Sequence, residues 1–228
     1  MGFDFNWYNC FSLHNFLRPV FDRKVVAVLP DGTQHMRNSL GVTVTLKPGA
    51  GSIPGEIDHL LKDRASWEEH YKWQLQWDPK RVEEAKVRIG PNMKVYGSNG
   101  CETLRQEERE LPLGLHCGSL LGNIRNVVGM ENLCYLEADD PKLLTEIINT
   151  AADLCFRCAQ HVLESGIQFD FGHFWEDICF KSGPLVRPQM FAEMVGPHYR
   201  RITNLLREHG VDIVSVDCDG LLIFVMLM

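Results

Sequence analysis

The densest group of reactive side chains lies in the stretch GHFWEDICFKSGPLVRP, residues 172–188, directly after the apolar run IQFDF. It places His173, Glu176, Asp177, Cys179 and Lys181 close together. Imidazoles and carboxylates are the groups that most often transfer protons in enzymes. We therefore expect this stretch to be a loop that leaves a strand and carries part of a functional site. Because Glu176 and Asp177 are adjacent, we expect one to face the cleft and the other to bond backbone.

Three predicted strands, LPLGLHC, IQFDF and VDIVSVD, each carry a polar side chain near their end. Because side chains alternate across a strand, His116, Asp170 and Asp217 fall on the face that turns away from the helices. In a barrel this face is the interior, and barrel enzymes place their chemistry at the carboxyl ends of the strands. We therefore expect the three side chains at one end of a parallel sheet. The alternative is a core histidine and two carboxylates that cap helices or hold loops.

The elements that position these residues alternate between strand and helix from about residue 111 onward. Helical spacing of apolar residues predicts a helix over Pro141–Glu164, capped by Asp140, and another over about Gln189–His209. Residues 24–46 predict an antiparallel hairpin or meander. Strands that alternate with long helices indicate an α/β fold with a parallel sheet.

The cysteines predict a reduced, cytoplasmic protein. Eight of them are scattered along the chain, several inside apolar stretches where free thiols usually pack. Cys155 and Cys158 have the spacing of a redox or metal pair, but their helical position on an apolar face favours the core. A zinc site built from Cys117, Cys179 and Cys218 is the alternative, because all three lie near strand ends.

Charge and hydropathy argue against two kinds of partner. The formal net charge is -7, and no Lys/Arg cluster is longer than HYRR, so the chain lacks the electrostatic footprint of a nucleic-acid-binding protein. The longest apolar run, LLIFVMLM at residues 221–228, is far shorter than the roughly 20 residues that span a bilayer. We expect a cytoplasmic protein that binds neither nucleic acid nor a membrane, without a secretion signal.

Three segments resemble the uroporphyrinogen decarboxylase superfamily in their order and spacing: GMENLCYLEADDPKLLTEII, EDICFKSGPLVRPQMFAEMVGPHYRRI and VDIVSVDCDG. The resemblance covers residues 111–220 and extends to 25–88. It implies an α/β fold of the TIM (β/α)8 type, in one domain over residues 1–228. Within that domain, residues 1–60 would be irregular or antiparallel and residues 111–228 would form βα units.

The same resemblance implies an incomplete barrel. The chain would begin after the expected first strand and stop near the sixth. Open sheet edges template further strand pairing. We therefore expect the apolar segment at residues 221–228 to pack at an association edge, and the chain to form a homodimer or to aggregate.

Three functions follow from the resemblance. The first is cofactor-independent decarboxylation of a carboxylated tetrapyrrole or a related small acid at the mouth of the barrel. His116 would donate a proton, Asp170 or Asp217 would anchor the substrate, and Arg125 and Arg187 would bind its acidic groups. Further substrate contacts are expected from His173, Glu176, Asp177 and Asp219.

The second function is a corrinoid-linked methyltransferase, which would use zinc and a corrinoid protein partner. The superfamily's methyltransferases hold zinc through a His-x-Cys-Gly motif, where this chain has Asp217 and Asp219. Two carboxylates suit a hard cation or proton transfer better than zinc-thiolate chemistry. If a metal binds, its ligands would be His116, Asp217 and Asp219. The third function is a catalytically inactive partial barrel that acts in binding or assembly.

Overall fold

The computed structural model describes residues 10–85, 87–89, 94–96, 100–106, 109 and 112–220, and shows a mixed α/β fold. The strands are β1 Cys10–Ser12, β2 Lys24–Val28, β3 Gln34–Arg37, β4 Val42–Leu46, β5 Gly55–His59, β6 Val87–Ile89, β7 Lys94–Tyr96, β8 Gly114–Gly118, β9 Phe171–Trp175, β10 Cys179–Phe180, β11 Gly183–Pro184 and β12 Ile213–Asp217. The helices are α1 Arg64–Ser66, α2 Lys80–Glu83, α3 Gly100–Gln106, α4 Gly122–Val128, α5 Met130–Asp139, α6 Pro141–Glu164, α7 Pro188–Met190 and α8 Gly196–Glu208. Three further turns are helical: π at Trp67–Tyr71 and Phe191–Val195, and 3-10 at Lys72–Leu75. None of the helices in these ranges is long and apolar enough to cross a membrane.

The main sheet has six strands in the order β12-β9-β8-β1-β6-β7. The first four run parallel to one another, which confirms the predicted parallel α/β sheet. β6 and β7 add an antiparallel hairpin beside β1. A closed barrel is not formed by the residues described, in which β12 and β7 are the two edges of the sheet. The predicted apolar strand or edge at residues 221–228 lies outside the described residues.

β1 corrects the interpretation of residues 1–60 as irregular or antiparallel. Phe11 of β1 pairs in parallel with Leu115 of β8, and both side chains are fully buried. A strand of three residues is too short for side-chain alternation to reveal it. The start of the described chain is therefore part of the parallel sheet that positions the site.

A buried arginine holds the segment that follows β1. Arg81 is 2% exposed, and its guanidinium donates hydrogen bonds to the carbonyls of His14 at 2.7 Å, Phe16 at 2.6 Å and Gln76 at 2.9 Å. A buried cation needs such partners to replace the water that it loses. These bonds fix the loop after β1 against α2.

β2 to β5 form a separate antiparallel sheet, as residues 24–46 predict. Its first turn is set by Asp31, whose carboxylate accepts a hydrogen bond from the Thr33 N–H at 3.0 Å. Gly32 follows with a φ of 82°, a conformation that favours glycine over other residues. The Asp-Gly pair therefore specifies the hairpin.

Helix α6 has the predicted bounds. The Asp140 carboxylate accepts a hydrogen bond from the Leu143 N–H at 3.0 Å, which caps the helix as predicted. Its apolar face is buried, and Cys155 and Cys158 lie in the core on that face, as predicted. Burial of each large aliphatic side chain contributes about 1.5–3 kcal/mol, so this face anchors the helix layer.

The helix predicted over residues 189–209 is observed as α7, a π-helical turn and α8 in unbroken succession. Its apolar face packs on β9, where a Cβ added to Gly172 would lie 2.5 Å from Leu206 Cδ1. Gly210, with a φ of 79°, ends the helix. The close contact at Gly172 identifies the face of β9 that meets the helices.

The strand predicted over IQFDF begins later, at Phe171, so that GHFW belongs to the strand and not to the loop. In β9, Gly172 faces α8, and Phe171, His173 and Trp175 therefore share the opposite face. The prediction had placed Phe171 on the helical face. A small shift along a strand exchanges its two faces, which is why the assignment of side chains reverses here.

Candidate functional site

Four polar side chains lie in register across the four parallel strands. Ser12 pairs with His116, His116 with His173, and His173 with Ser215. Residues in register on parallel strands point to the same face of the sheet. The four residues, termed the polar row, therefore line the face opposite α8.

The His116 ring accepts a hydrogen bond in this row and is neutral. Its Nδ1 accepts a hydrogen bond from the Gly118 N–H at 3.1 Å, which leaves the proton of the neutral ring on Nε2. Burial, assisted by the neighbouring His173, lowers the pKa of His116 to about 4. The two rings meet edge to face, with their centroids 5.6 Å apart.

His173 has a different electrostatic environment. Its Nδ1 lies 2.9 Å from Ser215 Oγ, and that hydroxyl donates to the Gly172 carbonyl at 3.5 Å. In this arrangement Nδ1 donates to the hydroxyl, and Nε2 holds the lone pair of the neutral ring. Burial lowers the pKa of His173, and the Asp217 carboxylate opposes that effect. His173 is therefore the imidazole whose protonation a neighbouring charge promotes.

Asp217 ends β12 and pairs in register with Trp175, at the carboxyl end of the parallel strands. This is the end that the sequence predicts for it. Asp219 follows in an exposed loop. The alternative metal set of His116, Asp217 and Asp219 is not assembled: in the described ranges, no three His, Cys, Asp or Glu side chains come together as a metal site.

Asp170 lies at the opposite end of the sheet. Its N–H donates to the Leu113 carbonyl at 2.9 Å, and its carboxylate accepts from the Leu113 N–H at 2.8 Å. Both contacts precede the first residues of β8 and β9. The prediction that Asp170 joins His116 and Asp217 at one end is wrong, because β9 starts after Asp170. This carboxylate holds a loop, the alternative given for it.

Glu176 is a buried carboxylate, and its expected contact with a substrate stays a prediction. It is 1% exposed. It accepts hydrogen bonds from the hydroxyls of Ser119 at 3.1 Å and Tyr199 at 2.7 Å, and from the main-chain N–H groups of Leu120, Leu121 and Gly122. Burial raises its pKa, and these hydrogen bonds oppose the rise. Its carboxyl group caps the start of α4. Of the adjacent carboxylates, Glu176 is thus the one that bonds backbone, as expected.

The two predicted anion-binding arginines are engaged by carboxylates. Arg125 forms an ion pair with Asp177, and its Nη2 also donates to the Asp177 carbonyl at 3.0 Å. Arg187 is exposed, and its Nε donates to Glu137 at 2.6 Å. Asp177 therefore neutralises Arg125, and Arg187 forms an ion pair with Glu137 at the surface. The buried Nε of Arg125 has no hydrogen-bond partner in the described part of the chain.

All eight cysteines are free thiols, as predicted. Cys117 lies on the helical side of the sheet, where a Cβ added to Gly172 would be 3.5 Å from its sulfur. Cys179 and Cys218 interact directly with each other. The zinc site of Cys117, Cys179 and Cys218 is not formed within the described residues.

A cavity of about 510 Å³ lies between α8 and the strands β9 and β12. Phe174 and Phe191 contribute apolar walls, and Glu176, Arg200 and Arg207 also line the cavity. Ser215 of the polar row also borders it. Its volume is in the range of small-molecule pockets.

The sequence analysis missed Ser12 and the central position of His173. No pattern marks Ser12, because β1 is so short. His173 could have been placed by the aromatic residues of FGHFW, which favour a strand that begins after Asp170.

No family model matches the sequence, and no curated protein matches it. Among solved structures, the fold is similar to a methyltransferase from Methanosarcina mazei, with a TM-score of 0.42 and 11% sequence identity. The similarity covers 73% of this chain and 43% of that one, so the chain spans less than half of that protein's length.

Proposed function

We propose that the chain is an enzyme of the uroporphyrinogen decarboxylase type, which removes CO2 from a carboxylated pyrrole or a related small acid without a cofactor. The observation that carries the proposal is the register of His116, His173 and Ser215 beside Asp217. It supplies two imidazoles with different proton affinities on the face of a parallel sheet that turns away from the helices. The three segments that resemble the superfamily supply the reaction class.

The proposed chemistry is a proton replacement. Decarboxylation breaks a C–C bond, CO2 leaves, and the electron pair that stays on the substrate carbon takes one proton. His173 would donate that proton, because Asp217 opposes the lowering of its pKa by burial, and solvent would return it. This assignment moves the role of proton donor from His116 to His173.

His116 would act as a hydrogen-bond donor. Its low pKa keeps the ring neutral, so that its Nε2–H can stabilise negative charge developing on the substrate without transferring a proton. Ser215 would fix the orientation of the His173 ring through Nδ1. We keep Arg125 as the contact for a substrate acid group, which it would bind beside its ion pair with Asp177.

The test is CO2 release by the full chain from uroporphyrinogen and from a simple pyrrole acetic acid. We expect His173→Gln and His116→Gln each to reduce the rate by about 10²–10⁴, the usual contribution of a positioned acid or base. His198→Gln is the control, because this ring contacts Asn149 on the surface of the helix layer. Equal rates in all three variants would overturn the proposed roles. Demethylation of methylcobalamin without CO2 release would favour the methyltransferase alternative. Substrate binding without either reaction would favour the catalytically inactive partial barrel.

A further inference from the structure

Two cysteines meet where β9 and β12 end. Cys218 directly follows β12, and Cys179 opens β10, shortly after β9. The two thiols are close enough to influence each other electrostatically, and the Cys218 Sγ donates to the Asp219 carbonyl at 3.8 Å. Both are free thiols, and neither is needed for the chemistry proposed above.

The backbone holds this pair in place from both sides. Before the cysteines, the Glu176 N–H donates to the Asp217 carbonyl at 2.7 Å, which continues the pairing of the two strands. After them, Gly220 packs against the main chain of Phe180, so closely that an added Cβ would lie 2.6 Å from the Phe180 carbonyl oxygen. The segments around Cys179 and Cys218 therefore run side by side, and the thiol contact is a consequence of main-chain packing.

We propose that Cys179 and Cys218 form a reversible disulfide, which fixes the loop after β12 to the β10–β11 hairpin. The oxidant is a hydroperoxide. It oxidises one thiolate to a sulfenic acid with release of water or an alcohol, and the second thiol then displaces a second water to form the S–S bond. A small dithiol returns both sulfurs to thiols by exchange and leaves as its own disulfide.

The two thiols have unequal roles in this sequence. Cys218 is partly exposed, whereas Cys179 is buried. Burial and the adjacent thiol raise the pKa of Cys179 to about 11, which suppresses its thiolate. Cys218 is therefore the thiol that meets the oxidant, and Cys179 resolves the sulfenic acid.

Four of the other cysteines, Cys10, Cys117, Cys155 and Cys158, are buried, and Cys101 is partly exposed. Burial raises the pKa of the Cys101 thiol. Cys134 is exposed on α5. The disulfide would tie down the residue after Asp217 and so restrict the end of the strand beside the polar row.

The experiment oxidises the full chain with a modest excess of hydrogen peroxide, alkylates the remaining thiols and maps the peptides by mass spectrometry. We expect a Cys179–Cys218 linked peptide as the first disulfide, with two alkylation sites lost and both recovered after dithiothreitol. In Cys179→Ser, a dimedone adduct should accumulate on Cys218, because the resolving thiol is gone. Cys134→Ser is the matched control and should oxidise at the same rate as the unaltered chain.

Two results would overturn the proposal. One is an oxidised chain in which both Cys179 and Cys218 remain fully alkylated. The other is a first disulfide that includes Cys134, whether within the chain or between two chains. Circular dichroism checks that Cys179→Ser is folded. A spectrum that matches the unaltered chain shows that neither result is caused by unfolding.

Discussion

Asp217 is the diagonal neighbour of His173 on the adjacent parallel strand, and its carboxylate favours the protonated form of that ring. Burial lowers the pKa of both rings, and for His116, in register with His173 on the other side, the neighbouring His173 lowers the pKa further. Two imidazoles in contact thus differ in how readily they take a proton. This difference is what separates a proton donor from a neutral hydrogen-bond donor in the proposed site.

The first prediction concerns the carboxylate that distinguishes the two rings. Asp217→Asn should lower the pKa of His173, because it removes the charge that opposes the effect of burial. The titration of His116 should stay unchanged. Two-dimensional ¹H–¹⁵N spectra of the imidazole nitrogens measure both. Asp219→Asn is the matched control in the neighbouring exposed loop, and an equal shift of His173 in that variant would contradict the assignment.

The second prediction is a loss of stability in mild acid. The folded-state pKa of His116 is about 4, below the value of about 6.5 in an unfolded chain. The unfolded chain therefore binds a proton that the folded chain refuses, and the free energy of unfolding falls as pH decreases from 6.5 towards 4. Between pH 7 and pH 5 the contribution of His116 is about 2 kcal/mol at most.

Urea unfolding at the two pH values checks this sign. In His116→Gln the difference in unfolding free energy between pH 7 and pH 5 should shrink by that amount. His35→Gln, in the separate antiparallel sheet, should retain the full difference. A chain that is more stable at pH 5 than at pH 7 would show that the ring is charged in the fold.

Local sequence signals predict the helix layer and much of the sheet. The bounds of α6 follow from its apolar periodicity and from its cap, Asp140, which accepts from the N–H of Leu143 three residues later. Residues distant in the sequence are not needed to predict them. Strand parity places His116, Ser215 and Asp217 on one face for the same reason. These elements are set by their own residues and could be predicted.

The contacts that could not be predicted from the sequence join residues far apart in the chain. Glu176 meets Ser119 across 57 positions of the chain, and Arg81 meets His14 across 67. No local sequence pattern at either residue indicates its partner. The face on which His173 lies depends on the residue at which β9 begins. Because β9 begins later than predicted, the faces of its side chains are reversed and Asp170 lies outside the strand. Tertiary pairing, and not local preference, decided these positions.

The last prediction concerns Glu176, the buried carboxylate that joins β9, α4 and α8. Glu176→Ala would strand the main-chain N–H groups at the start of α4 together with the hydroxyls of Ser119 and Tyr199. Each stranded buried group costs about 1–3 kcal/mol, so the loss of stability should be at least about 3 kcal/mol. Glu176→Gln should also destabilise the fold, because its NH2 group would face donors. The loss should be smaller than in Glu176→Ala, because the amide oxygen can still accept hydrogen bonds. Urea denaturation measures both.

The control for this prediction is Glu193→Ala, on an exposed side of the π-helical turn, where the carboxylate contacts only Gln189 among the described residues. It should change the unfolding free energy by no more than about 0.5 kcal/mol. Tyr199→Phe removes one of the donors to Glu176 and should cost about 1 kcal/mol. If Glu176→Ala were as mild as Glu193→Ala, water would have to satisfy these donors, and the carboxylate would be open to solvent or to a ligand. A contact between Glu176 and a substrate would then be favoured, because an accessible carboxylate can meet a substrate.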